Sequence, residues 1–122
     1  MPRFTISKHV QADSSHYDLM LEEGRILKTW QIASVDFSSP QIVRQSPDHR
    51  RVYLDYQGQI SGGRGWVEIF DTGTYQVEGL KDDLIIFILN GKKLQVRLSL
   101  RLQSDRPGEG SEWQLGPEPS SV

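Results

Sequence analysis

The stretch KHVQADSSHYDLMLE, residues 8–22, places His9, His16 and Asp18 within ten positions. Apolar and polar residues alternate through HYDLMLE, the pattern of a strand, in which side chains at i and i+2 share a face. His16 and Asp18 therefore project together, away from Tyr17 and Leu19. An imidazole beside a carboxylate suits a first-row divalent ion such as Mn²⁺ or Zn²⁺. His9, at the end of the preceding segment, is placed to supply a third donor. Three protein donors leave positions open for water or a phosphate oxygen, as metal-assisted hydrolysis requires. Spacing alone leaves the plainer alternative open, in which these are polar residues on a solvated sheet face. The third histidine, His49, stands in PDHRRVY beside Arg50, Arg51 and Tyr53. Such a group could contact an anionic substrate, and alone it reads equally as polar loop.

These residues must be carried by a small scaffold. The chain has 122 residues, enough for one domain with a core but not for two. It has no cysteine, which excludes disulfides, thiolate zinc sites and cysteine nucleophiles. Any metal is left to His, Asp, Glu or backbone oxygen. The net charge of −2 gives no general attraction to nucleic acid, so a phosphate binder needs a local positive patch. Two clusters qualify: Arg44, His49, Arg50 and Arg51, and Lys92, Lys93, Arg97 and Arg101. Each also reads as a solvated strand face. No apolar run reaches the length of a membrane-spanning helix, and MPRFTISKHV lacks the apolar core of a secretory signal. The expectation is a cytoplasmic monomer with no membrane partner.

The elements read as β throughout. RFTIS (3–7) is a short strand, and HYDLMLE turns at EG (23–24) into RILKTWQIA (25–33), a hairpin. A loop with two prolines follows, holding a short strand at 41–45. VYLDYQGQI (52–60) alternates like a strand and meets the glycine cluster SGGRG (61–65). WVEIFD (66–71) is a strand, TG a turn, and TYQVEGL (74–80) its partner. LIIFIL (84–89) is apolar on both faces and should be central. NG (90–91) is the strongest hairpin signal, since both turn positions want φ > 0. KKLQVRLSLRL alternates up to residue 102. The spacing predicts a mainly β fold with little helix, a small closed or partly closed barrel of antiparallel strands over residues 1–103. Residues 104–122, rich in Ser, Gly, Pro and Glu, are expected as a flexible tail with a short edge strand at 112–115. The expected core comprises Phe4, Ile6, Tyr17, Leu19, Leu21, Trp30, Ile86, Ile88, Val96 and Leu98.

In order along the chain, KHVQADSSHYDLMLE, EEGRILKTWQI and SPDHRRVYLDYQGQISGGRGWVEIFDTGTY resemble the 3′-phosphoesterase domain of bacterial and archaeal DNA ligase D. That family has Lys-His, a spacer and Leu-His-Tyr-Asp-Phe-Arg-Leu-Glu, then a glycine turn and a Leu-Lys-Ser-Trp strand. Further on it has Glu-Asp-His-Pro-Leu-x-Tyr, Phe-Glu-Gly, Pro-Glu-Gly and Trp-Asp-x-Gly-x-Tyr. The resemblance runs from about Phe4 to Tyr75 and more loosely through EWQL (112–115). It implies a compact barrel with a crescent-shaped groove, and Mn²⁺-dependent trimming of 3′-terminal ribonucleosides and phosphates from DNA ends during break repair. By position, His9, His16 and Asp18 match the family's metal ligands. His49 matches an essential histidine near the scissile phosphate, and Tyr53 a tyrosine of the same site.

The departures are equally specific. Met20 stands where the family has the arginine of Phe-Arg-Leu-Glu, Ser34 where a lysine is expected, and Gln41 where an arginine is expected. Each replacement removes a charge-assisted contact of the kind that stabilises a phosphoryl transition state. Gln57 and Gly63 replace two glutamates. Arg44, Arg50, Arg51 and Arg64 are the cations that could compensate from loops. Three readings follow. The first is a metal-dependent phosphoesterase acting on nucleic-acid 3′ ends or another phosphate ester, beside a separate DNA ligase. The second is a non-catalytic binding or scaffold module on the same barrel, and the third a barrel whose histidines are inert. The retained imidazoles favour the first, and the replaced cations favour the second.

Overall fold

The computed structural model describes residues 1–106 and 110–119. Nine strands follow one another: β1 (Arg3–Val10), β2 (Ser15–Glu23), β3 (Ile26–Ile32), β4 (Gln41–Arg50), β5 (Gly58–Gln59), β6 (Trp66–Lys81), β7 (Leu84–Gly91), β8 (Gln95–Ser104) and β9 (Glu112–Pro117). Every pairing is antiparallel. The order β1-β2-β3-β4-β9-β8-β7-β6 closes on itself because β6 also pairs with β1. Eight strands thus form a closed barrel, and β5 adds a short pairing to the start of β6. Closure removes the exposed strand edges that a small open sheet would carry. Among the described residues no helix is long and apolar enough to cross a membrane.

Alternation sends Phe4, Ile6, Leu19, Leu21, Trp30, Ile32, Leu98 and Leu100 inward, all nearly or fully buried. Each such side chain contributes about 1.5–3 kcal/mol by leaving water. On β7 the inward residues are Phe87 and Leu89, and the expected Ile86 and Ile88 lie outside the core cluster, half-buried. A strand apolar on both faces carries no alternation to tell them apart. Register with β8, Phe87 opposite Leu98 and Leu89 opposite Val96, makes the choice. Tyr17 and Val96 pack against the core at its margin.

Several expected elements come out differently. The strand at 112–115 is present but longer, and it lies between β4 and β8 rather than at an edge. Trp113 and Leu115 point inward from it, and Trp113 meets Trp30 edge to face at 6.1 Å. The expected tail also included residues 107–109 and 120–122, which lie outside the described residues. The short strand at 41–45 extends to Arg50. Residues 52–60 do not form one strand. They make a single 3₁₀ turn (Arg51–Leu54) and then β5. That turn lies against the outside of the barrel: Thr5 Oγ1 donates to the Leu54 carbonyl at 2.7 Å, and Leu54 packs with Met20 and Leu27.

Thr72 and Gly73 make no turn. β6 runs straight through them, pairing with β1 up to Thr74 and with β7 from Gly73 onward. A Cβ on Gly73 would stand 2.0 Å from the Asn90 carbonyl oxygen, so this glycine permits a close strand approach. Asn90 and Gly91 likewise stay in β7, and the chain reverses over Lys92–Leu94. The cause is Asp71, buried on β6. Its carboxylate accepts the amides of Thr72, Lys92 and Leu94 at 2.9 Å and of Lys93 at 3.1 Å. Gly91 is needed because a Cβ there would lie 2.1 Å from Asp71 Oδ2. Asp71→Ala should lower the unfolding free energy by about 3 kcal/mol, because it strands buried amides. Chemical denaturation measures this, and a loss below about 1 kcal/mol would mean that water replaces the carboxylate.

Candidate metal centre

The β1–β2 register sets His9 opposite His16 and Ser7 opposite Asp18. With Phe4, Ile6 and Leu19 inside the barrel, Ser7, His9, His16 and Asp18 fall on its outer face. The side chains converge: one donor atom from each of His9, His16 and Asp18 lies within 4.8 Å of the other two. The imidazoles meet edge to face at 5.0 Å, and His16 Nε2 stands 3.2 Å from Asp18 Oδ1. Asp18 is 5% exposed. Its Oδ1 has no aligned donor among the described residues, so the contact with His16 is an ion-pair approach rather than a formed hydrogen bond. Ser7 Oγ beside it is also buried and unpartnered. Leaving a carboxylate oxygen buried and unsatisfied is costly, and a bound cation would remove that cost. Two imidazoles and a carboxylate are donors that fit Mn²⁺ or Zn²⁺.

Protonation is partly dictated by neighbours. His9 Nε2 lies 2.7 Å from the Arg64 carbonyl oxygen. A carbonyl only accepts, so Nε2 carries the hydrogen and Nδ1 keeps the lone pair a metal would use. The Asp18 carboxylate raises the His16 pKa above the ordinary imidazole value, against the burial that would lower it.

The Arg64 carbonyl comes from the glycine loop, closed by the Ile60 amide donating to the Gly65 carbonyl at 2.8 Å. Gly65 has φ +86°, and a Cβ there would meet the Val10 carbonyl oxygen at 1.9 Å. Only glycine lets the loop lie this close to β1. SGGRG in the sequence marks a loop, but nothing local indicates that its backbone reaches His9.

A groove of about 310 Å³ brings His9 and Asp18 together with His49, Tyr53, Arg50 and Arg64, and His16, which touches His9 and Asp18, is not part of its lining. His49 comes from the end of β4, and its Nδ1 donates to the Pro47 carbonyl at 3.0 Å, while its Nε2 has no hydrogen-bond partner among the described residues. Tyr53 packs edge-on to His49 at 5.8 Å. The turn carrying Tyr53 is anchored by Glu22, which pairs with Arg51 at 2.6 Å and accepts the Arg3 amide at 3.0 Å. Arg3 in turn pairs with Asp55 at 2.6 Å.

Three positions that carry cations in the resembled pattern hold structure here. Met20, 2% exposed, packs with Leu27 and Leu54. Gln41 and Ser34 clasp the β3–β4 loop: Gln41 Oε1 accepts the amides of Ala33 and Ser34, and its Nε2 donates to the Ser34 carbonyl at 2.8 Å. Gln57 accepts the Ile69 amide at 2.8 Å. Of the four arginines that could compensate, Arg50 and Arg64 line the groove, Arg51 is held by Glu22, and Arg44 lies outside it.

The fold and site define a class: a small closed antiparallel barrel with two imidazoles and a carboxylate gathered on its outer face. The chain belongs to the DNA ligase D 3′-phosphoesterase domain family, whose model matches residues 7–101. It is 32% identical over 124 residues to the multifunctional non-homologous end joining protein LigD of Pseudomonas aeruginosa, covering 93% of this chain and 14% of that protein. It is 32% identical over 114 residues to the protein of the same name from Mycobacterium bovis, covering 84% of this chain and 15% of the relative. The non-homologous end joining DNA repair protein LigD of Mycobacterium tuberculosis matches to the same extent. The chain thus spans about one seventh of the length of these relatives.

Burial alone would raise the Glu22 carboxyl, but the Arg3 amide and the Arg51 guanidinium outweigh it and hold its pKa below the usual value. Its contribution is therefore present above the ordinary carboxylate pKa and fades as pH falls through the lowered one. Glu22→Gln should be less stable than wild type at neutral pH, and the two should converge in acid. Thermal melts across pH measure this, and a pH-independent gap would point to lost packing instead.

Proposed function

We propose that this domain is a metal-dependent phosphoesterase acting on nucleic-acid 3′ ends, removing terminal phosphate or ribonucleoside groups. The observation that carries this reading is the convergence of His9, His16 and Asp18 around a buried carboxylate oxygen without a donor. These three would hold the ion, Mn²⁺ first and Zn²⁺ second; when bound it would polarise a phosphate oxygen and lower the pKa of a coordinated water. The Arg64 carbonyl holds His9 in the tautomer whose Nδ1 can donate. His49, with Nδ1–H directed at Pro47, presents Nε2 to the groove, and in its imidazolium form that nitrogen would carry a proton to pass to the leaving oxygen, leaving the neutral ring. Tyr53 would hold that imidazole in the groove through their edge contact. The names of the relatives suggest the setting, repair of DNA ends beside a separate ligase activity.

A second reading, a non-catalytic binding module, is favoured by Met20, Ser34 and Gln41, whose side chains serve packing and loop closure rather than charge. One experiment separates the two. Mn²⁺ is titrated into the full chain while the three imidazoles are followed by NMR, and a 3′-phosphorylated oligonucleotide is then offered. Stoichiometric Mn²⁺ should broaden the His9 and His16 resonances and support hydrolysis, and the diamagnetic Zn²⁺ should shift these two imidazoles. His16→Ala should weaken the metal response and the rate by at least about 10²-fold, since even outer-shell changes cost 10–100-fold. Metal binding without turnover would favour the module. No response at millimolar metal would remove the phosphoesterase reading.

A further inference from the structure

We propose that Arg50 is the phosphate-binding, specificity-determining cation of this groove, supplying from its rim the charge that the floor lacks. The proposal rests on the phosphoesterase reading only for the identity of the anion. At the floor, Met20 is sealed against Leu27 and Leu54, leaving no place for a guanidinium. The other cations are held by a side-chain contact or lie away from the groove. Arg51 pairs with Glu22 at 2.6 Å. The Arg64 side chain donates from Nε to the Ser61 carbonyl at 2.8 Å. Arg44 pairs in register with Gln31 and Glu112, away from the groove.

Arg50 differs from all of these. It lines the groove directly after His49, is exposed, and among the described residues enters neither an ion pair, even with Asp48 on the same rim, nor a side-chain hydrogen bond of the kind that holds Arg64. Its Cζ lies 5.8 Å from the Tyr53 ring centre, a cation–π contact that orients the guanidinium without using its N–H donors. A planar fork held this way can bind two phosphate oxygens through parallel N–H donors, a fixed geometry that a lysine lacks. Position 50 is proline in the Glu-Asp-His-Pro-Leu-x-Tyr pattern that this segment resembles. A cation is therefore present beside the imidazole where the pattern has none, in a chain that has Met20 where the pattern has arginine.

The test is a titration of inorganic phosphate into the full chain without metal, following the Arg50 Nε–H and His49 resonances. Arg50→Ala should weaken phosphate binding about 10- to 100-fold, the worth of a charge-assisted contact. Arg50→Lys should recover part of this, which also separates lost charge from lost folding. Arg25→Ala, the same charge change in the β2–β3 turn, should leave affinity unchanged. With a 3′-phosphorylated oligonucleotide, Arg50→Ala should raise KM while Mn²⁺ affinity stays at the wild-type value. Phosphate affinity that is undetectable in the wild type, or equal in Arg50→Ala and wild type, would overturn the proposal. Arg50-dependent phosphate binding with no metal response and no hydrolysis would instead sustain it and remove the phosphoesterase reading.

Discussion

The pairing of His9 with His16 across β1 and β2 is the constraint on which the candidate centre depends. A strand has a side-chain period of two, so slipping this register by one residue would send His16, Asp18 and Met20 into the barrel and Tyr17, Leu19 and Leu21 out of it. Burial of Leu19 and Leu21 against Phe4 and Ile6 therefore holds the donors on the outer face. The hydrophobic core positions the polar cluster by occupying the only other face available.

A barrel's outer face is normally wet, but around Ser7 and Asp18 this one is covered. The segment from Arg51 to Gly65 folds back over β1, β2 and β6. It is tied down by Thr5 to the Leu54 carbonyl, by the Arg3–Asp55 and Arg51–Glu22 pairs, and by the Arg64 carbonyl on His9. Asp18 and Ser7 are buried by this cover rather than by the barrel core. Low solvent access strengthens electrostatic interactions at the centre and raises the cost of any unpaired charge there. Asp18, whose Oδ1 has no hydrogen-bond donor among the described residues, lines the groove beneath that cover.

Charge has been redistributed around the groove. Met20, Ser34 and Gln41 make packing and loop-closing contacts at positions that the resembled pattern gives to cations. Met20 and Leu54 belong to the same small apolar cluster, so the methionine that removes a floor cation also anchors the turn carrying Tyr53. A side chain at that position can be a phosphate ligand or a packing residue, but not both, because a guanidinium buried against Leu27 would lack partners. The groove retains its cations on its rims, on Arg50 and Arg64.

The sequence by itself determined the strand character, the β2–β3 hairpin, most of the core and the pairing of His16 with Asp18 on one face. These rest on local alternation and on Gly24, which takes the left-handed conformation its turn requires. Spacing also singled out His9 and His49, ordered similarity along the chain grouped them with Tyr53 in one site, and all three line one groove with Asp18. The inward face of β7, the passage of β6 through Thr72–Gly73, the reversal beyond NG and the interior place of β9 were decided only by tertiary structure. Each turns on a partner distant in the chain: β8 for Phe87, Asn90 for Gly73, Asp71 for the 92–94 amides, and β4 for Trp113. Closing a barrel requires every strand to satisfy two neighbours at once, and that condition overrides turn and edge signals read from a few residues.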